Sequence, residues 1–182
     1  MGVTVAILGL GLMGGSLGLA LSGWQEGERV KGYDPHLPTA QRALQRKAVG
    51  EVTPSAQEAV EGSDIVFLAA PVSVVPGLIA EIASHLADHS IVLDLSSSRE
   101  WIFSRISHLK GRLRLAGFHP MCGSARGGID EARANLFAGA PILATPLSED
   151  DGLKNTMRKV GGVLGGKVFF YPLLNMTGYA PW

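Results

Sequence analysis

Three glycines spaced as Gly9-Leu10-Gly11-Leu12-Met13-Gly14, directly after the apolar run 3–8, constrain this chain more than any other feature. The run is short, β-branched and almost free of polar side chains, as a strand buried on both faces of a parallel sheet must be. Leu12 to Leu21 then reads as a helix that packs back on the sheet. Strand, glycine turn and helix in this order form the fingerprint of a dinucleotide-binding fold. Gly9 permits the tight turn, Gly11 lets a pyrophosphate approach the backbone, and Gly14 lets the helix lie close to the strand. The unpaired N–H groups at the helix start, around Leu12 and Met13, would then face the phosphates.

An acid stands at the matching distance. Asp34 closes the predicted second strand, 29–34, and lies 20 residues beyond Gly14. A carboxylate there accepts from ribose hydroxyls. It would repel a 2′-phosphate, and no arginine follows it directly, so the pattern favours NAD over NADP. Asp34 also fits a plainer role, as a turn residue ahead of Pro35.

Further strands are expected at 64–70, 90–95, 112–120, 140–146 and 167–171, with helices at 39–48, 72–87 and 153–166. This alternation implies an α/β chain with a Rossmann-type, doubly wound, mainly parallel sheet and helices on both faces. Such sheets bind ligands beyond the carboxyl ends of their strands, where the strand order reverses. That rule selects the loops at 9–15, 69–73 (with Ala70 and Pro71), 94–99 and 117–128. The last contains His119, which on spacing alone reads as a loop histidine bonded to nearby backbone.

Composition narrows the function classes. Hydrophobic residues make up 46% of the 182, which suits a packed core and argues against disorder. Basic and acidic residues number 16 each, so no net field draws nucleic acid or an anionic membrane to the chain. The single cysteine, Cys122, leaves no intramolecular disulfide and no cysteine-based zinc site, and no metal is expected. A reducing, cytoplasmic setting follows as the default. The apolar N-terminus lacks the basic region of a signal peptide, and its glycines are better explained by the nucleotide fingerprint.

Four segments taken in order carry a resemblance: AILGLGLMGGSLGLAL at the start, AAPV at 69–72, LDLSSSRE at 93–100 and GFHPMCGSARGGIDEARANLF at 117–137. Together they resemble the nucleotide-binding domain of the prephenate/arogenate dehydrogenase family, and the histidine segment is the most specific of them. The resemblance implies NAD-dependent oxidative decarboxylation of prephenate or arogenate in tyrosine biosynthesis. It implies that His119 takes or polarises the proton of the substrate hydroxyl. It also implies that Ser97 hydrogen-bonds the same hydroxyl and orients the histidine, although Ser96, Ser97 or Ser98 could equally cap the helix that follows. Arg99, Ser124 and Arg126 are the candidates for substrate contact, with Arg126 equally readable as a solvated loop residue.

Two departures bear on substrate choice. Ser96-Ser97-Ser98-Arg99 stands where the family has Gly-Ser-x-Lys, so a planar guanidinium replaces an ammonium. Ala125 stands where many members carry a glutamate that helps choose the substrate. The resemblance also implies a homodimer formed through a following helical domain. Residues 1–171 correspond to the dinucleotide-binding domain, and 172–182 form an apolar tail where the helical domain would begin. The alternative functional reading is a chain that binds NAD without turning a substrate over.

Overall fold

The computed structural model describes residues 2–22, 24, 29–106 and 113–171. The predicted tail at 172–182 lies outside the described residues. The strands are β1 (Thr4–Leu8), β2 (Arg29–Tyr33), β3 (Glu51–Val52), β4 (Ile65–Leu68), β5 (Ile91–Asp94), β6 (Arg114–Pro120), β7 (Pro141–Pro146) and β8 (Lys167–Phe170). The helices are α1 (Leu12–Leu21), α2 (Leu37–Gln45), α3 (Ala56–Val60), α4 (Val75–Ile82), α5 (Arg99–Arg105) and α6 (Asp151–Val163).

The strands form one sheet in the order β3-β2-β1-β4-β5-β6-β7-β8. All neighbours run parallel except β6 and β7. The order reverses between β1 and β4, so the crevice of a doubly wound sheet opens beyond their carboxyl ends. Val5 to Leu8 are fully buried there, because helices cover both faces of the strand. One core layer joins Val5, Ile7, Phe67, Leu93 and Phe118 to α1 and α6. The other joins Ala6, Leu8, Val66, Leu68 and Val92 to α3, α4 and α5. Among the described residues no helix is long and apolar enough to cross a membrane.

Several boundaries differ from expectation for local reasons. Helix α2 starts at Leu37, with Pro38 in its first turn, and stops at Gln45 because Lys47 turns into the left-handed region at φ +60°. Helix α4 starts only at Val75, since the Val74 N–H is taken by the Pro71 carbonyl in a preceding turn. Strand β3 and helix α3 were not expected at all. The helix had a signal in the Ser-x-x-Glu spacing of Ser55 and Glu58: the Ser55 Oγ accepts the Glu58 N–H at 3.2 Å and donates to the Glu58 carboxylate at 3.0 Å.

Helix α6 is tied to the sheet through its cap. Asp150 caps that helix by accepting the Leu153 N–H at 3.0 Å, and it pairs bidentately with Arg114 of β6 at 2.7 and 3.2 Å. The Arg114 hydrogen bond, aided by the capping bond, holds the Asp150 carboxyl below the usual carboxylate range. A depressed folded-state pKa stabilises above the unfolded value, and that contribution fades as pH falls through the folded value. Asp150→Ala should therefore cost about 1–2 kcal/mol in urea unfolding near neutral pH, the usual cost of a lost cap. The difference from the parent should shrink in acid, below the ordinary carboxylate range.

Candidate functional site

The turn between β1 and α1 is built by backbone meeting backbone. Gly9 sits at φ +96°, and a β-carbon on it would lie 2.7 Å from the Ala69 carbonyl oxygen. At Gly14 an added β-carbon would fall 1.8 Å from the Gly9 carbonyl oxygen. No side chain fits at either place. Gly11, the residue just before α1, has no atom within 4 Å of the position its β-carbon would take. No side chain caps the start of α1, so its first N–H groups face this open space.

Asp34 leans onto the same turn. Its Oδ2 accepts the Leu10 N–H at 2.8 Å, and its Oδ1 accepts the His36 N–H at 2.9 Å. The residue is thus a turn former and a clamp on the glycine loop together. A carboxylate has about four lone-pair positions, so acceptor capacity remains for a ligand. Gly9, Gly11, Leu12, Met13, Asp34, Ala70 and Pro71 line one hollow of about 670 Å³. Leu8, Pro35 and Ala69 also line it, as do Tyr33, Val74, Leu78 and Glu81, four residues that the sequence did not single out. The apolar residues Val75, Leu78 and Ile79 within α4 were the available signal.

A second hollow of about 310 Å³ adjoins the first and shares Met13, Ala69 and Ala70 with it. Val72, Leu95, Ser96, Ser97, His119 and Cys122 line the remainder. His119 belongs to the paired part of β6, opposite Leu143 of β7, and not to the loop that follows. Strand alternation sends Phe118 into the core, fully buried, and turns His119 to the other face. The His119 Nδ1 lies 2.8 Å from the Leu95 carbonyl oxygen. A carbonyl only accepts, so Nδ1 carries the hydrogen, and in the neutral ring Nε2 is then the nitrogen with the lone pair. The backbone bond at Nδ1 therefore leaves Nε2 free of that contact.

The remaining expected residues distribute unevenly. Ser97 is exposed and lines the histidine hollow, while the bond that orients the ring at Nδ1 comes from Leu95. Arg99 opens α5, and its side chain lies outside what the structure describes. Ser124 and Arg126 are exposed, and neither lines either hollow. The Ser124 Oγ accepts the Arg126 N–H at 3.5 Å, a weak local turn contact. Burial pushes the Cys122 thiol up, partly offset by the Arg133 guanidinium, which keeps the sulfur a poor nucleophile.

The far end of the histidine loop is fastened to the nucleotide half. Arg46, just past the end of α2, donates to the Asp130 and Ala132 carbonyls at 2.6 and 2.7 Å, and Arg42 pairs with the Asp130 carboxylate at 2.7 Å. The Arg42 hydrogen bond lowers the Asp130 carboxyl, but the pair is open to solvent and adds little stability. The Ser16 Oγ, fully buried in α1, accepts the Arg133 N–H at 3.0 Å.

With that geometry in view, the chain matches the family described as "Prephenate dehydrogenase, nucleotide-binding domain" over residues 17–168. It is 28% identical over 165 residues to the prephenate dehydrogenase of Bacillus subtilis, covering 90% of this chain and 44% of that protein. It is 29% identical over 142 residues to the cyclohexadienyl dehydrogenase of Zymomonas mobilis, covering 78% and 48%. The crystal structure of Synechocystis arogenate dehydrogenase superposes with a TM-score of 0.85 at 29% identity, covering 93% of this chain and 60% of that one. The chain spans less than half the length of the curated relatives it matches.

The glycine geometry separates a binding role from a folding role. Gly11→Ala should cost no more than about 1 kcal/mol in urea unfolding, the scale of a changed helix cap, yet weaken dinucleotide binding in a titration. Gly14→Ala should cost about 4 kcal/mol or more, in the range reserved for severe core clashes. Equal losses of stability in the two variants would contradict this division.

Proposed function

The chain belongs to the prephenate dehydrogenase nucleotide-binding family, and from that premise we propose that it is the NAD-binding part of an oxidoreductase of tyrosine biosynthesis. The reaction is oxidative decarboxylation of prephenate or arogenate, with hydride passing to NAD. The observation that carries the reading is the His119 ring, fixed through Nδ1 by Leu95 and lining a hollow continuous with the glycine cleft.

The residues fit a dinucleotide. The space at Gly11 is open, the start of α1 is uncapped, and the adjoining hollow of about 670 Å³ suits a nucleotide. When bound, NAD supplies the hydride acceptor. The N–H groups around Gly11, Leu12 and Met13 hold the pyrophosphate, and Ala70 and Pro71 form the opposite wall. Asp34 accepts from the ribose hydroxyls and disfavours a 2′-phosphate, so NAD binds more tightly than NADP.

On the substrate side, His119 Nε2 takes the proton of the ring hydroxyl as the carbon beneath it is oxidised. The Leu95 carbonyl then stabilises the positive ring through Nδ1–H. Ser97, exposed at the mouth of the same hollow, donates to or accepts from the same hydroxyl. Arg99, Ser124 and Arg126 are the groups proposed for the substrate carboxylates, where a guanidinium forms paired hydrogen bonds. The catalytic protein is proposed to be a homodimer, a reading supported by the exposed aromatic rings of Phe169 and Tyr171 at the β8 edge.

The test couples binding with turnover. NAD titration should show saturable binding that is tighter than for NADP. NADH formation should be measured with prephenate and with arogenate, and His119→Asn should lower it by at least about 100-fold, the scale of a lost general base, with NAD affinity unchanged. Saturable NAD binding without turnover of either substrate would instead favour a domain that binds but does not catalyse by itself. Undiminished turnover in His119→Asn would sink the catalytic assignment.

A further inference from the structure

Asp94 is a buried carboxylate that the proposed reaction does not use. It ends β5, beside the crevice, and is fully shielded from solvent. Burying a carboxylate is costly unless strong hydrogen bonds hold it. Here its Oδ2 accepts the Ser96 Oγ–H at 2.6 Å, and its Oδ1 accepts the Ser96 N–H at 3.1 Å. These two bonds go to one residue, and the residue enclosed between Asp94 and Ser96 is Leu95. Leu95 is the residue whose carbonyl meets His119 Nδ1 at 2.8 Å.

We infer that Asp94 is a positioning residue for His119. By gripping Ser96 at two atoms, it sets the peptide plane at Leu95 so that the carbonyl points at the imidazole. The carbonyl then selects the tautomer, with hydrogen on Nδ1 and a free lone pair on Nε2. Strand pairing supports the chain of contacts, because Asp94 lies opposite Gly117 in the parallel β5–β6 register, two residues before His119. Asp94 and His119 therefore project from the same face of the sheet. Two hydrogen bonds to one residue, the shorter at 2.6 Å, make this grip stiffer than a serine turn alone. Catalytic geometry held by a neighbouring layer of hydrogen bonds is the common way a base is kept in one orientation. The inference rests on the reading of His119 as the proton acceptor, but its direct consequence is a tautomer that can be observed without turnover.

The experiment uses the full chain labelled with nitrogen-15, and reads the His119 ring from two-bond nitrogen–proton correlation spectra. His119→Asn identifies the signal. The parent protein should show the Nδ1–H form alone. Asp94→Asn and Ser96→Ala should both give a mixture with the Nε2–H form, while Ser96→Thr, which keeps the hydroxyl, should restore the parent spectrum. Should Asp94→Asn fail to fold, Ser96→Ala at its half-exposed site still decides the matter. Urea midpoints of the variants guard against general loosening, and NAD affinity should stay within about twofold of the parent. An unchanged Nδ1–H form in Ser96→Ala and Asp94→Asn would overturn the inference. Tautomer mixing in a protein that turns over neither substrate would uphold the positioning role and count against the catalytic reading of His119.

Discussion

The contact between Gly14 and the Gly9 carbonyl is the constraint on which this molecule turns. A β-carbon at Gly14 would stand 1.8 Å from that oxygen, so α1 can approach the end of β1 only without a side chain. That approach aims the N–H groups at the start of α1 across the crevice left by the reversal of strand order. Gly9 brings the same turn against Ala69 at the end of β4, so the two central strands share one rim. Strand order places the crevice between β1 and β4, and two missing side chains let α1 and the turn close up against it.

The second half of the sheet matters because it brings a different chemistry to that rim. Strand β6 pairs in parallel with β5 and antiparallel with β7, which locks its register from both sides. A slip of one residue would bury His119 and expose Phe118, an exchange the core opposes by about 2 kcal/mol for the phenylalanine alone. Register therefore aims the histidine. The Arg46 bonds to the 130–132 backbone and the Ser16 bond to Arg133 then fasten the loop after His119 to the helices of the nucleotide half. The two hollows consequently meet along a fixed border at Met13, Ala69 and Ala70.

Much of the architecture was legible because it is written in local patterns. The glycine spacing, the apolar runs at β1, β4 and β5 and the start and end of α1 needed no knowledge of distant residues. The short β3–α3 unit was missed because a two-residue strand leaves no periodicity, although the Ser55–Glu58 spacing was there to be read. Helix ends at Gln45 and Val75 were misjudged because a left-handed lysine and a turn hydrogen bond decided them, not hydrophobic periodicity. Val74, Leu78 and Glu81 escaped notice because membership of the crevice depends on how α4 lies over the sheet.

By itself the sequence determined the alternation of the longer strands and helices, the nucleotide turn and the identity of the groups able to do chemistry. Those properties depend on residue type and on separations of a few positions along the chain. Only the tertiary structure decided how the groups are poised. It placed Asp34 on the Leu10 N–H, made a backbone carbonyl 24 residues away in sequence the partner of His119, and left Ser124 and Arg126 outside both hollows. The reason is physical. A hydrogen bond between strand ends is set to tenths of an ångström by sheet register and packing, and neither quantity is encoded in any short stretch of residues.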